Sequence, residues 1–390
     1  MQIKTSCLRG VNLGGWLMME GYILGGRNIA EQQFKAAFKK RCGKEACAIF
    51  ERLFRERFIG EQDFKNCAAM GANCVRLPFN CRLIEHNQPG YRYLDNAFRW
   101  GEKYNIGIIL DMHAAPAAQN CDWHSDSLGR ARLWEQEIFR ARMIALWEKV
   151  VARYKDEKAL IGYDLLNEPV LGDTSAALLK KLYQALIRRL KAIDAQHTYF
   201  LEGSLWSQRV EFLADILEDN IAVSIHAYQP LQYTFNFVPF QSYPGKIQHE
   251  QWDRSAITRY LAGYAEFSRK HSVEIYVGEF GINWRGGYWG ECAYLYDMLK
   301  AFHAYNFGYT YWTYKAVAQQ CFPDGVYQYL KNPAFVRREG PVFGWENYAD
   351  CWKRARKELI ASWDTSAYTA NKELIKVLSE FFGSGRKLSS

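Results

Sequence analysis

The 390-residue sequence contains no apolar run of the roughly 18 to 20 residues that a helical membrane span requires, because polar or charged residues interrupt every candidate stretch. This points to a soluble chain. The opening MQIKTSCLRG lacks the apolar segment of a secretory signal. Ten cysteines are present, but no CxxC pair and no Cys/His pattern with zinc spacing, so no structural metal is expected. Cys74 lies in an apolar strand-like run and Cys67 on a helix-like one, as buried free thiols do. The expectation is a reduced, cytoplasmic protein. Long basic runs are also missing. Fifty Lys and Arg against 42 Asp and Glu give a net charge of +8, spread over helix faces such as Arg188, Arg189 and Lys191, which argues against nucleic acid as a partner. Gly10, Gly14 and Gly15 do not spell a phosphate-binding loop, and no cofactor is expected.

What is abundant is aromatic: Phe, Trp and Tyr make up 16% of the chain. Many sit beside Gly, Asn and His in loop-like stretches, where rings can stack on the C–H faces of sugars. Eight short runs rich in β-branched and aromatic residues recur: Leu8 to Leu13, Asn73 to Pro78, Gly107 to Met112, Ile161 to Leu166, Thr198 to Gly203, Ile221 to His226, Val273 to Gly278, and Tyr309 to Thr313. Several are apolar throughout, as parallel strands covered on both faces must be. Helical stripes intervene, with Leu179, Leu182, Leu186, Leu190 and Ile193 on one face and Ile144, Trp147, Val151 and Tyr154 on another. This is the α/β pattern of a closed (β/α)8 barrel. A single domain over residues 1–382 is expected, with a flexible small-residue tail at 383–390. Long aromatic loops follow the sixth run (Tyr228 to Trp252) and the eighth (Lys315 to Tyr348).

Residue types suited to sugar chemistry gather at the strand ends. Arg76 ends the second run, His113 the third, Asn167-Glu168-Pro169 the fourth, His226 and Tyr228 the sixth, Glu279 the seventh and Trp312 the eighth. In a barrel these ends meet in one pocket. Cleaving a glycosidic bond takes two carboxyl groups, one to protonate the leaving oxygen and one to attack the anomeric carbon or activate water. Glu168 and Glu279 are that candidate pair. Singly each residue has a bland reading: an ion pair for Arg76, a structural hydrogen bond for His113 and His226, core packing for Trp312. Together they do not.

This ordered set resembles glycoside hydrolase family 5. RGVNLGGWL (Arg9 to Leu17) and LDMHAAPAAQN (Leu110 to Asn120) are similar to its exo-β-1,3-glucanase branch, and HAYQPLQYTF to its cellulase-type members. The resemblance implies a retaining β-glycoside hydrolase for glucosides or gluco-oligosaccharides, with Glu168 as acid/base and Glu279 as nucleophile. It further implies that Arg76 and Tyr228 serve Glu279, that Asn167 holds a sugar 2-hydroxyl, that His113 and His226 bind hydroxyls or orient carboxylates, and that Trp312 forms a floor. The charge of Glu279 is expected to raise the pKa of Glu168. Trp16, Trp123, His124, Trp284 and Trp289 follow strands one, three and seven and could line flanking subsites. Asp111 and Asp164 are expected to make barrel hydrogen bonds, and His86, His197, His249, His271 and His303 have no assigned role. Alternatives are a β-mannosidase or glycolipid-type β-glycosidase of the same fold and a non-catalytic carbohydrate-binding barrel. The strand-end histidines do not form a metal-hydrolase pattern.

Overall fold

The computed structural model describes residues 4–85, 89–171, 176–330 and 344–383. The expected tail beyond residue 383 and His86 lie outside them. Eight parallel strands close into a barrel: Arg9–Asn12, Cys74–Asn80, Gly107–Ala114, Leu160–Asp164, Thr198–Glu202, Ile221–His226, Glu274–Phe280 and Gly308–Tyr311. The first pairs with both the second and the eighth. Gly10 sits on this seam, where a Cβ would lie 1.9 Å from the Cys74 carbonyl oxygen.

The period of two in a strand turns the barrel interior into layers. A floor of Leu8, Cys74, Ile109, Ile161, Phe200, Ala222 and Tyr276 forms a separate apolar cluster inside the barrel. Two residues further along, Cys74 gives way to Arg76, Ile109 to Asp111 and Phe200 to Glu202, all buried. Another step brings His113 and His226 to the mouth. Between the sixth and seventh strands the register shifts after Ile225, and His226 pairs with Glu279. That irregularity aims Glu279 into the mouth immediately after Gly278.

Helices cover the outside. The two expected stripes lie on Glu137–Tyr154 and Ala177–Lys191, with Trp147, Val151, Tyr154, Leu179, Leu182, Leu186 and Leu190 buried. The fifth crossover departs from the expected βα pattern: it holds one irregular turn and a 3-10 stretch, Glu211–Ile216, in place of a long helix. After the first strand, a one-turn helix, Gly21–Leu24, and two longer helices, Glu31–Cys42 and Lys44–Phe58, precede the crossover helix Glu61–Ala69. The two longer helices build an aromatic annex outside the barrel, in which Phe34 stacks on Trp345 at 4.6 Å and Phe50 meets Trp352 and Trp363 edge-on. The long loop after the sixth strand folds into a short helix, Leu231–Thr234, and a hairpin, Gly245–Ile247 against Glu250–Trp252. After the eighth strand, Lys315–Val317, Tyr327–Tyr329 and Thr369–Ala370 form a small sheet. All ten cysteines are free.

Candidate active site

Arg76 is the hub beneath the mouth. Fully buried, its guanidinium donates to Asp164 at 2.9 Å, Asn12 at 3.1 Å, Glu279 at 2.8 Å, Asn167 at 2.9 Å and Glu202 at 2.9 Å, and Asp111 lies 3.1 Å away. One cation cannot neutralise so many buried acids. Burial, with the charges of Glu202 and other acids, therefore drives Asp111 up to about 8 and Asp164 well above the carboxylate range. Asp111 and Asp164 thus sit in the hydrogen-bonded layer expected for them.

Glu279 is held from two sides, by Arg76 and by the Tyr228 hydroxyl, which donates to its other oxygen at 2.8 Å. Glu168 stands opposite, with one oxygen of each glutamate and a ring nitrogen of His226 all within 4.8 Å of one another. Its backbone is left-handed, φ 45°, a region non-glycine residues rarely adopt. The turn is pinned at both ends: the Glu168 N–H donates to Glu202 at 2.6 Å and its carbonyl accepts from the Asn120 amide at 2.9 Å. Its two carboxylate oxygens each face an imidazole, His226 Nδ1 at 2.7 Å and His124 Nε2 at 3.0 Å.

The electrostatics correct one expectation. Burial does push the Glu168 carboxyl upward, but the hydrogen bonds and charges of His124 and His226 outweigh it and hold the group well below the ordinary carboxylate range. The converse appears on the rings. Burial opposes their charge, yet Glu202, Glu279 and Glu168 raise His226 well above its usual value, and Glu168, Glu20 and Asp122 raise His124 to about 9. His113 is different: burial chiefly, helped by Arg76 and His124, drops it to about 3. A neutral ring, it meets Asp111 at 2.7 Å and stacks on Trp312 at 5.3 Å and 7°.

These groups line a pocket of about 340 Å³ together with Glu20, Tyr22, Trp123, Trp206, Phe235, Phe237 and Phe322. Trp312 forms one wall, its indole donating to the Tyr22 hydroxyl. The Asn167 side-chain nitrogen and one Glu20 oxygen are buried without hydrogen-bond partners. Burial, reinforced by Glu279, Glu168 and Asp111 against the opposing His124, raises Glu20 well above the carboxylate range. Among the described residues, two acid clusters have the compactness of a cation site, Asp111/Asp164/Glu202 and Glu168/His226/Glu279. Arg76 already supplies the positive charge of the first. The oxygens of the second are engaged by Arg76, Tyr228, His124 and His226.

All eight strand-end residues thus converge. The flanking aromatics divide: Trp123 and His124 line the pocket, whereas Trp16 does not. Wholly buried, Trp16 donates to the Arg55 carbonyl at 2.8 Å and stacks near Trp100, so its expected subsite role is replaced by core packing. Trp284 and Trp289 are partly exposed but lie outside the pocket lining. Sequence reasoning missed Glu20, Tyr22, Trp206, Phe235 and Phe322, which sit in loops or one-turn helices too short to carry a periodic signal. It also passed over Glu202, which the strand-end criterion finds when applied to the fifth strand. Trp206 is presented by three consecutive left-handed residues, Leu205, Trp206 and Ser207, and its indole donates to Asp122 at 2.9 Å.

Two glutamates face to face over an aromatic-walled pocket, at the carboxyl end of a (β/α)8 barrel, make this the site of a glycoside-cleaving enzyme. The chain belongs to the cellulase family, glycosyl hydrolase family 5, whose model matches residues 38–317, and it is an O-glycosyl hydrolase. A β-xylosidase from Phanerodontia chrysosporium is 30% identical over 80% of this chain and 68% of its own length. Endoglucanase C from Acetivibrio thermocellus is 25% identical over 78% of this chain and 90% of its own. The crystal structure of endoglucanase Cel5A from Thermotoga maritima, 18% identical, covers 96% of this chain and 98% of that one with a TM-score of 0.61, a likeness of fold.

Proposed function

We propose that the protein is a retaining β-glycosidase of β-linked glucosides or short gluco-oligosaccharides, working by double displacement with Glu279 as nucleophile and Glu168 as acid/base. The observation that carries this reading is the gap between the glutamates, whose nearest oxygens lie within 4.8 Å. Retaining enzymes keep their carboxyls about 5–5.5 Å apart, and inverting ones about 6.5–9.5 Å, to leave room for water. Arg76 and Tyr228 fix the Glu279 carboxylate for attack on the anomeric carbon, and Glu168 protonates the departing oxygen. The unpartnered Asn167 amide suits the 2-hydroxyl, whose hydrogen bond strengthens in the transition state. Glu20, kept protonated, can donate to another hydroxyl while Trp312 stacks beneath the ring. The pocket volume of about 340 Å³ lies at the small end of ligand sites and favours short glycosides over long polymers.

The 30% identical β-xylosidase supports a second reading, a β-xyloside in the cleaved subsite. Both are tested by one panel of aryl β-glucoside, β-xyloside, β-mannoside and β-cellobioside with laminarin- and cello-oligosaccharides, product anomers being read by NMR. Release of β-configured product is expected, and the preferred substrate names the sugar. Initial release of the α-anomer would sink the retaining mechanism.

A further inference from the structure

The grip of two imidazoles on Glu168 poses a problem for a general acid. An acid must carry a proton on an oxygen that reaches the leaving group, yet His226 and His124 face the two oxygens at 2.7 and 3.0 Å. One ring must yield. The two are not equivalent. The His226 side chain is 1% exposed and lies 3.6 Å from Glu279 and 3.3 Å from Glu202 as well, so three carboxylates anchor it. The His124 side chain is 15% exposed, lines the pocket and comes from a loop.

We propose that His124 is the proton reservoir of the acid, a positioning residue that restrains Glu168 at rest and supplies the proton that Glu168 delivers to the leaving group. This rests on the two-glutamate reading above. As the glycoside enters, the Nε2 proton of His124 passes to the neighbouring Glu168 oxygen, the neutral ring turns aside, and the glycosidic oxygen takes its place. The bond from the anomeric carbon to that oxygen breaks with transfer of the proton, while Glu279 forms the bond to carbon. In the second half, water attacks the anomeric carbon, the bond to Glu279 breaks, and the proton lost by water returns through Glu168 to His124. One proton leaves and one is recovered.

The surroundings fit a ring that is charged at rest. His124 faces Glu168 at the end of the fourth strand and Asp122 on its own loop, while Glu20, held well above the carboxylate range by burial, and the neutral His113 ring, 6.2 Å away, lie beside it. The Asn120 amide nitrogen lies 3.1 Å from the same Nε2 and donates to the Glu168 carbonyl, which ties the His124 turn to the turn that carries Glu168.

The test compares kcat/KM against pH for wild type, His124→Asn and Glu168→Ala on two β-glycosides of the preferred sugar. One has an alkyl leaving group that needs a proton, the other 2,4-dinitrophenyl, which does not. Below about 9 His124 holds its proton, so the wild-type alkyl-glycoside rate falls only as pH rises through that region. In His124→Asn this basic limb moves acidward by more than one pH unit, with a loss on the order of tenfold at pH 8 that the dinitrophenyl substrate does not share. An unmoved limb, or an equal loss on both substrates, overturns the proposal. Glu168→Ala separates the two readings: if it does not lose the alkyl glycoside selectively, the acid assignment falls and takes the reservoir with it, whereas a selective loss with an unmoved His124→Asn limb overturns the reservoir alone. Independently of turnover, the His124 ring followed by NMR titrates near 9 and drops by more than one unit in Glu168→Gln; titration at an ordinary histidine value in wild type overturns the proposal.

Discussion

Glu279 and Glu168 are the same residue type, set within 4.8 Å of each other, and the molecule treats them differently. Glu279 is held by Arg76, a permanent cation, and by Tyr228, whose hydroxyl burial drives well above its usual value. Glu168 is held by two imidazoles, groups that can give up and take back protons. One carboxylate is locked for bond formation, and its neighbour is wired to groups that exchange protons. Two chemical roles thus follow from partners alone.

The sharpest way to break this contrast is Glu279→Ala. Turnover is expected to fall by more than about 10⁴-fold with the fold intact by circular dichroism, and azide should restore product with the α-configuration, because it attacks from the vacated face. Azide added to Glu168→Ala should give the β-product, since there it replaces water on the glycosyl intermediate. The same anomer from both variants would show that the two roles have been misassigned.

Arg76→Met comes next and tests the locked side. It strands Glu279, Asp111, Asp164 and Glu202 without their cation, and removal of one partner from a buried ion network costs about 3–5 kcal/mol. Denaturant unfolding should report that loss. Arg153, 47% exposed and paired with Asp95, is the control: Arg153→Ala should cost less than about 1 kcal/mol. Equal effects would mean that Arg76 does not anchor the layer. A smaller effect is expected for Tyr228→Phe, which takes one of two donors from Glu279. A hydrogen bond to a charged group is worth about 1.5–3 kcal/mol, so kcat should drop by roughly 10- to 100-fold with stability little changed.

The barrel and its strand-end residues were legible in the sequence because both obey a period: apolar strands every few tens of residues, and functional groups at their carboxyl ends. Arg76 and Glu279 are examples, carried to the mouth by strands that need no other signal. What could not be read depends on contacts distant in sequence. Phe34 and Trp345 meet across 311 positions to form the annex, so a large share of the aromatic excess serves packing outside the pocket. The direction of the Glu168 shift is not legible in the sequence because it depends on His124, whose place against a carboxylate 44 residues away is set by loop conformation and not by periodicity.

The flanking tryptophans give the smallest and most local test. Trp123 lines the pocket and meets Phe322 edge-on at 5.7 Å, while Trp284 follows the same catalytic strand as Glu279 but lies outside the lining. If place in the pocket and not place in the sequence decides, Trp123→Ala should raise KM by roughly three- to tenfold, the worth of an aromatic contact of about 0.5–1.5 kcal/mol, and Trp284→Ala should leave KM unchanged. Steady-state kinetics on the best oligosaccharide of the panel measures both. A rise for Trp284 with none for Trp123 would place the outer sugar along the loop after the seventh strand, away from the His124 side of Glu168, and so would detach the leaving group from the proton-exchanging half of the site.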